Sequence, residues 1–133
     1  MQTEILESMK NIAVVGFSPN PEKDSHTVGA YLIEQGYNVY PIYPTGDEIC
    51  GRKVYRSLSE ISDPIDTVVM FRKGEYASKL FEEVLAKGAK NFWLQLGIRN
   101  DAVGDLACER GINYVQDACI MFELKRKNYG KSK

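Results

Sequence analysis

Five short runs of apolar residues recur along the chain and predict the strands of one sheet. The runs are Ile12–Val15, Asn38–Tyr43, Thr67–Phe71, Asn91–Leu96 and Ile112–Val115. The first four are nearly continuous rather than alternating, which is typical of strands covered by other elements on both faces. The pattern therefore indicates a sheet that is buried on both sides.

The segments between these runs carry a helical period. Residues 76–88 place apolar side chains at i, i+3, i+4, i+7 and i+8, which forms one stripe along a helix. Shorter stripes predict helices in residues 26–36 and 101–110, and residues 5–9 predict a short helix before the first strand. Because strands and helices alternate with short links, we expect a parallel sheet with right-handed crossovers. The side chains suited to cap the first and last main helices are Asp24, Ser25, Asn100 and Asp101.

The connection between the second and third runs breaks this alternation. Residues 45–65 hold two glycines and a proline, and they predict a loop with at most one helical turn, around Leu58–Ile61. Pro41 lies inside the second run, although a residue without an N–H group is normally excluded from interior strands. We expect a bulge or an early strand end at this point.

The composition fits one globular domain over residues 1–133, since 44% of the residues are hydrophobic and 26% are charged. We expect the basic tail from about residue 126 to be frayed.

A net charge of −1 argues against a nucleic-acid partner, and no apolar run approaches the roughly 20 residues of a membrane span. Three widely spaced cysteines favour a reducing, cytoplasmic location. If the chain self-associates, a homodimer is the expected form.

The loop after the first strand has the character of a phosphate-binding site. The strand ends in Gly16, a loop of small and polar residues follows, and a helix begins near Ser25. Such a loop directs backbone N–H groups outward, and the helix N-terminus carries partial positive charge. The loop matches neither GxGxxG nor GxxxxGK[ST], and by itself it is equally consistent with a plain strand-to-helix turn. The side chains that offer hydrogen bonds or charge to a phosphate are Ser18, Asn20, Lys23 and Ser25.

Later strand ends support this prediction, because ligands of such folds lie beyond the carboxyl ends of the strands. The third run ends in Phe71, Arg72 and Lys73, and the fourth is followed by Gln95-Leu96-Gly97. An aromatic ring and two cations beside a phosphate-binding loop suit a nucleotide with more than two phosphates. Coenzyme A (CoA), which has a diphosphate and a 3′-phosphate, fits this description.

NAD(P) is the alternative cofactor. An NAD site requires an acid at the end of the second strand to bind the ribose hydroxyls, and this chain has Tyr43-Pro44-Thr45 there. Asp47 is close enough in sequence to keep an NAD(P)-binding enzyme or redox sensor open. A protein-interaction module that has lost its ligand is the third alternative, since a fold does not determine a function.

Several segments together resemble the small stand-alone CoA-binding proteins. These proteins are similar to the N-terminal nucleotide domain of the succinyl-CoA ligase α subunit and of the NDP-forming acyl-CoA synthetases. The resemblance runs from about residue 11 to residue 124, which is nearly the whole chain. The matching segments are IAVVGFSPNPEKDSHTVGAYLIEQGYNVYPIYP, GRKVYRSLSEI, DTVVMFRK, WLQLG and VQDACIMFE.

The resemblance implies a Rossmann-like, three-layer α/β sandwich whose five-stranded parallel sheet has the order 3-2-1-4-5. It also implies that CoA or an acyl-CoA lies across the loop from Gly16 to Asn20. Ligase activity does not follow, because the ligases need a further domain with a phosphorylated histidine and a nucleotide-grasp partner. The residues expected to contact the cofactor are Gly16, Phe17, Ser18, Asn20, Lys23, Ser25, Pro44, Phe71, Arg72, Gln95 and Gly97.

Two residues invite a catalytic interpretation. His26 follows Ser25 in the first turn of a predicted helix, and without an obvious partner nearby in sequence it is expected to pack or to contact the ligand. Cys119 follows the fifth strand, and a thiol without a neighbouring base behaves as a small hydrophobe. We therefore predict a carrier, sensor or accessory protein that binds CoA or an acyl-CoA, with no catalytic residues and no metal site.

Overall fold

The computed structural model of the protein describes residues 2–131, with side chains through residue 128. The helices of this part are α1 (Gln2–Ser8), α2 (Asp24–Glu34), α3 (Ala77–Lys87), α4 (Asp101–Arg110) and α5 (Ile120–Lys131). Its strands are β1 (Asn11–Val15), β2 (Asn38–Ile42), β3 (Glu48–Ile49), β4 (Arg52–Lys53), β5 (Thr67–Met70), β6 (Asn91–Leu94) and β7 (Asn113–Val115). Short 3-10 turns lie at Leu58–Glu60 and Gly74–Tyr76. No helix among the described residues has the length and apolar character that crossing a membrane requires.

A five-stranded parallel sheet, in the order β2-β1-β5-β6-β7, forms the central layer. Every residue of β5 and β6 is buried, which explains why their sequences are apolar after the first residue, Thr67 or Asn91, rather than alternating. All five predicted strands are confirmed, and so is the Rossmann-like α/β class.

Side chains that alternate along each strand feed two separate cores. Ile12 and Val14 of β1 belong to the core that also contains residues of α1, α2 and α5. Ala13 and Val15 belong to the opposite core, which contains residues of α3, α4 and the turn at Leu58–Glu60. The sheet is therefore the middle of three layers.

Counting a short extra bridge as the third strand gives the order 3-2-1-4-5-6, which contains the expected order 3-2-1-4-5. Tyr55 pairs in parallel with Ile42 on the outer side of β2. The run Thr67–Phe71, which we expected in this third place, pairs with β1 on its other side. The physical reason lies in the connection after β2, which supplies only two-residue strands and one 3-10 turn and therefore adds no full strand outside β2.

Pro41 requires neither the bulge nor the early strand end that we expected. It lies within β2 opposite Val14. Its carbonyl faces away from β1 and accepts a hydrogen bond from the N–H of Tyr55 at 2.8 Å. The ring nitrogen faces the same outer side, so no bond between β1 and β2 is lost.

The predicted cap is present on the last main helix and absent from the first. Asn100 caps α4, since its side chain accepts a hydrogen bond from the N–H of Val103 at 3.1 Å. At α2 the N-cap residue is Lys23, which makes no side-chain cap bond, and Asp24 and Ser25 lie inside the first turn. The prediction for α2 was wrong because the Ser25 hydroxyl bonds to the preceding loop instead.

The C-terminal segment forms a helix that the sequence did not predict, and the fraying of its end from about residue 126 stays a prediction. Helix α5 continues through Lys131, and Ile120 and Leu124 are buried near its start. These two positions form a narrow apolar stripe that the periodicity of the sequence does not reveal. Residues 132 and 133, which belong to the same prediction, lie outside the described residues.

Candidate functional site

The loop after β1 lies against the end of β5, and this close approach requires glycine at position 16. Gly16 has a φ of +90°, and a Cβ atom added there would lie 3.0 Å from the carbonyl oxygen of Phe71. Its N–H donates to the carbonyl of Ile42 at 2.9 Å, which ties the loop to the end of β2. A side chain at this position would be strained and would push the loop away from Phe71. The carboxyl ends of β1, β2 and β5 therefore converge around Gly16.

Polar side chains of this loop bond to the loop itself. The N–H of Ser18 donates to Oγ of Ser25 at 3.0 Å, and the N–H of Asn20 donates to Oγ of Ser18 at 3.1 Å. Oδ1 of Asn20 accepts a hydrogen bond from the N–H of Glu22 at 3.0 Å. These bonds hold the shape of the connection between β1 and α2.

A cavity of about 540 Å³ opens where the three strands end. It lies at the switch point of the sheet, since β1 is followed by β2 on one side and the chain then returns to β5 on the other. Ligands of doubly wound α/β folds bind at such a switch point.

The described residues that line this cavity include four basic side chains and no acidic one: Lys23, Arg56, Arg72 and Lys73. Arg56 donates from Nη1 to the carbonyl of Tyr43 at 3.1 Å. Cζ of Arg72 lies 4.4 Å from the ring centroid of Tyr76. Both guanidinium groups are positioned by uncharged partners, so their positive charge is available to an anion.

A second cavity, of about 280 Å³, adjoins the first. The two share Arg56, Arg72 and Tyr76 in their walls. The smaller cavity also has apolar lining residues, which include Leu58, Met70 and Leu80. The site thus combines a basic compartment with a smaller one whose lining mixes apolar residues with charged ones, among them Lys79 and Glu83.

We compared the chain with models of known protein families. A model of the CoA binding domain matches residues 10–125, most of the chain. The chain belongs to the CoA binding domain family. The resemblance seen in the sequence is thereby confirmed, and the CoA binding domain accounts for all five strands of the sheet.

Relatives of this CoA binding domain occur in chains of different length. YneT of Bacillus subtilis is 41% identical over 117 residues, which make up 88% of this chain and 87% of YneT. The α subunit of ADP-forming acetate–CoA ligase I of Pyrococcus furiosus is 38% identical over 96 residues, which are 68% of this chain and 21% of the subunit. Among solved structures, a hypothetical protein from Pyrococcus horikoshii OT3 aligns with a TM-score of 0.89 and 41% identity, covering 94% of this chain and 88% of that one. The chain thus matches nearly all of one relative and about a fifth of another.

Most of the contact residues expected in the CoA binding domain lie together. Those that line the larger cavity are Gly16, Ser18, Lys23, Ser25, Pro44, Phe71 and Arg72. The structure therefore joins the loop after β1, the start of α2 and the ends of β2 and β5 into one site.

Four other expected contact residues do not line this cavity. Phe17 is fully buried, and its ring packs so closely on α2 that a Cβ atom at Gly29 would lie 2.3 Å from it. Gln95 is buried, and its Oε1 accepts a hydrogen bond from the N–H of Ile120 at 2.9 Å. The N–H of Gly97 donates to Asp117 at 2.7 Å, and Asn20 is exposed on the loop.

Arg56 and Tyr76 line the cavity but were not among the predicted contacts. Arg56 reaches the site because the bridge at Tyr55 carries the chain along the outer side of β2. Tyr76 reaches it from the 3-10 turn that precedes α3, where it lies against Arg72. The one sequence signal for Arg56 was its place in the matching segment GRKVYRSLSEI.

The single histidine of the chain has a partner that the sequence did not indicate. Nδ1 of His26 lies 2.8 Å from the carbonyl oxygen of Ser18, and its Nε2 lies 3.5 Å from Sγ of Cys50. Cys50 is at the tip of the hairpin formed by β3 and β4. Cys119, by contrast, is half-buried against the core beneath α2 and α5.

Proposed function

We propose that the cavity at the ends of β1, β2 and β5 binds CoA or an acyl-CoA, and that the protein serves as a carrier, sensor or accessory protein. The observation that carries this proposal is the lining of the cavity, with four basic side chains and no acid among the described residues. Such a lining favours a polyanionic ligand. CoA carries a diphosphate and a 3′-phosphate, whereas NAD⁺ carries a diphosphate alone.

The parts of the site suit different parts of CoA. The loop from Gly16 and the N-terminus of α2 suit the diphosphate, because backbone N–H groups and the helix dipole both favour anions there. Lys23, at the N-cap of α2, adds a compact charge at the same place. Arg56 and Arg72 offer planar guanidinium groups for a further phosphate.

The cavity is suited to binding rather than to chemistry. The described residues that line it include no histidine, cysteine or carboxylate that would act as a nucleophile or a general base. Acetate–CoA ligases act on CoA according to their name, but this chain spans about a fifth of the matched ligase subunit, 21% of its length. We therefore propose CoA binding without ligase activity.

Calorimetry with CoA, dephospho-CoA and NAD⁺ tests the proposal. We expect CoA to bind most tightly, because a hydrogen bond between charged groups contributes about 1.5–3 kcal/mol, which corresponds to roughly tenfold to a hundredfold in Kd. Replacing Lys23 and Arg72 together with alanine should weaken CoA more than dephospho-CoA. Equal losses for the two ligands would contradict the assignment of Arg72 to the 3′-phosphate.

Lys90→Ala is the matched control, since Lys90 is an exposed lysine at the opposite, amino-terminal edge of the sheet, just before β6. We expect this variant to bind CoA as the wild type does. Binding of NAD⁺ alone would instead favour an NAD(P) enzyme or redox sensor. A protein that binds none of the three ligands at millimolar concentration would favour an interaction module.

A further inference from the structure

The contact between His26 and Cys50 has the geometry of a base and a nucleophile. A backbone carbonyl can only accept a hydrogen bond, so the bond to Ser18 at 2.8 Å places the proton of His26 on Nδ1. The neutral ring then presents the free electron pair of Nε2, which lies 3.5 Å from Sγ of Cys50. A nucleophile beside a base that is itself oriented by a third group is the usual arrangement for activating a thiol.

The backbone at Cys50 supplies an independent observation. Pairing of Ile49 with Arg52 leaves Cys50 and Gly51 as a two-residue hairpin turn, and both have positive φ, +51° and +76°. Turns of this type favour Asn, Asp or Gly at the first position, and another residue there is strained. Strained positions of this kind cluster at functional sites. Here the strained residue is the one that presents its thiol to His26.

We propose that Cys50 and His26 form a thiol-exchange site that reacts with small-molecule disulfides. Cys50 is exposed at the tip of the hairpin, so a disulfide can reach it from solvent. Neither residue lines the cavity proposed to hold CoA. This inference therefore goes beyond the proposed function and stands without it.

The exchange is balanced in atoms and electrons. The proton of the Cys50 thiol moves to Nε2 of His26, and the thiolate attacks one sulfur of the disulfide. A new S–S bond forms at Cys50 while the old one breaks, and the departing thiolate takes the proton back from His26. The departing sulfur gains one electron and becomes a free thiol, the Cys50 sulfur loses one electron, and the attacked sulfur keeps its oxidation state in the mixed disulfide.

A disulfide suits this site better than a thioester. Attack on a thioester passes through a tetrahedral oxyanion that needs hydrogen-bond donors aimed at it. Attack on a disulfide generates no oxyanion, so a nucleophilic sulfur and its base are sufficient. The contacts of Cys50 and His26 provide both of these groups.

The test compares cysteines within one molecule. The folded protein is exposed briefly to hydroxyethyl disulfide at neutral pH, and mass spectrometry of its peptides measures the adduct at each cysteine. Cys108 is exposed on α4 and provides the control, because the single histidine of the chain contacts Cys50. We expect Cys50 to react faster than Cys108, by on the order of tenfold.

Two substitutions identify the base. In His26→Asn the amide can still donate a hydrogen bond to the carbonyl of Ser18, but it has no group in the place of Nε2. We therefore expect Cys50 of this variant to react with the disulfide no faster than Cys108. His26→Gln offers a second variant without a base, should the first unfold by circular dichroism. Equal rates at Cys50 and Cys108 in the wild type, or a fast Cys50 in a folded His26 variant, would overturn the proposal.

A titration of Cys50→Ser with CoA separates this proposal from the proposed function. Because Cys50 lies outside the cavity, the affinity for CoA is expected to remain that of the wild type. Loss of disulfide exchange with retained CoA binding is therefore the expected result. Disulfide exchange at Cys50 in a protein that binds no CoA would support the thiol-exchange site and contradict only the proposal of CoA binding.

Discussion

Ser25 shows how one side chain holds the loop after β1 in place. It is 7% exposed, and its hydroxyl accepts a hydrogen bond from the N–H of Ser18, which is also 7% exposed. Without Ser25 that N–H would be buried without a partner. Leaving a buried donor unsatisfied costs more than a typical hydrogen bond contributes.

We predict that Ser25→Ala lowers the free energy of unfolding by about 1–3 kcal/mol, as measured by urea denaturation. The matched control is Thr27→Ala, two residues further along α2. Thr27 is exposed, and its hydroxyl makes a long 3.5 Å bond to Lys23. Equal effects of the two substitutions would show that the Ser18–Ser25 bond contributes little.

At the scale of elements, the start of α2 combines poor capping with a charge that suits a ligand. Lys23 has an extended backbone, with φ −84° and ψ 143°, which is the conformation of an N-cap residue. Its side chain cannot accept a hydrogen bond from the helix N-terminus, and a cation is unfavourable beside the positive end of the helix dipole. Both disadvantages are acceptable where the same charge binds a phosphate.

We predict that Lys23→Ser raises the free energy of unfolding by about 1 kcal/mol and weakens CoA binding in the same protein. Thermal unfolding measures the first effect and calorimetry the second. Lys23→Ala is the control, because it removes the charge without adding a cap. A serine variant no more stable than the alanine variant would contradict the capping argument.

Tyr114 links β7 to the start of α4. Its hydroxyl donates to the carbonyl of Asn100 at 2.9 Å, and its ring packs on Gly104. Burial, followed by the nearby charge of Asp101, raises the pKa of Tyr114 to about 12 from its ordinary value of 10.0. The unfolded chain therefore loses this proton at lower pH than the folded protein does.

This difference predicts a specific pH dependence of stability. The contribution of Tyr114 to the free energy of unfolding is fully present below pH 10.0, and it is lost as the pH rises from there to about 12. Urea unfolding of the wild type and of Tyr114→Phe between pH 9 and pH 12 measures this contribution. The other tyrosines titrate in both proteins, so the difference between the two curves is due to Tyr114. The stability of the wild type should fall more steeply, and parallel curves would contradict the shift.

On the scale of the whole molecule, the proposed ligand would join three strand ends and the start of α2. A ligand that binds only the folded state stabilises it by about 2.7 kcal/mol at a concentration of 100 times Kd. We predict that saturating CoA raises the Tm by roughly ten degrees. Differential scanning fluorimetry measures this shift, which should shrink when Lys23 and Arg72 are both alanine. The same shift in that double variant would place the ligand elsewhere.

The architecture could be predicted because each strand is short, buried and bounded by clear signals. All four residues of β5, Thr67–Met70, are buried, so the apolar run coincides with the strand. The start of α4 was also predictable, because Asn100 caps its own helix through a local contact. Helix α5 was not predicted, because it depends on two buried residues, Ile120 and Leu124, which belong to a core shared with distant elements.

The site was only partly predictable, since its missing members depend on contacts between distant segments. Arg56 reaches the cavity through the pairing of Tyr55 with Ile42, which no local pattern indicates. Phe17 follows the key glycine in sequence, yet its ring turns into the core beneath Gly29. The contact between His26 and Cys50 joins residues 24 positions apart. Sequence reasoning identified the strand ends and many of the lining residues, but it did not separate side chains that face the cavity from those that turn into the core.

The two edge strands of the sheet bear on aggregation. β2 and β7 are the edges, and open strand edges are where copies of a protein extend one another's sheets and where fibres start to grow. On β2, Pro41 has no N–H group to offer, and its carbonyl is already bonded to Tyr55. β7 is only 3 residues long. Neither edge is a good template for fibre growth, and a dimer of this protein is expected to form through helices or loops.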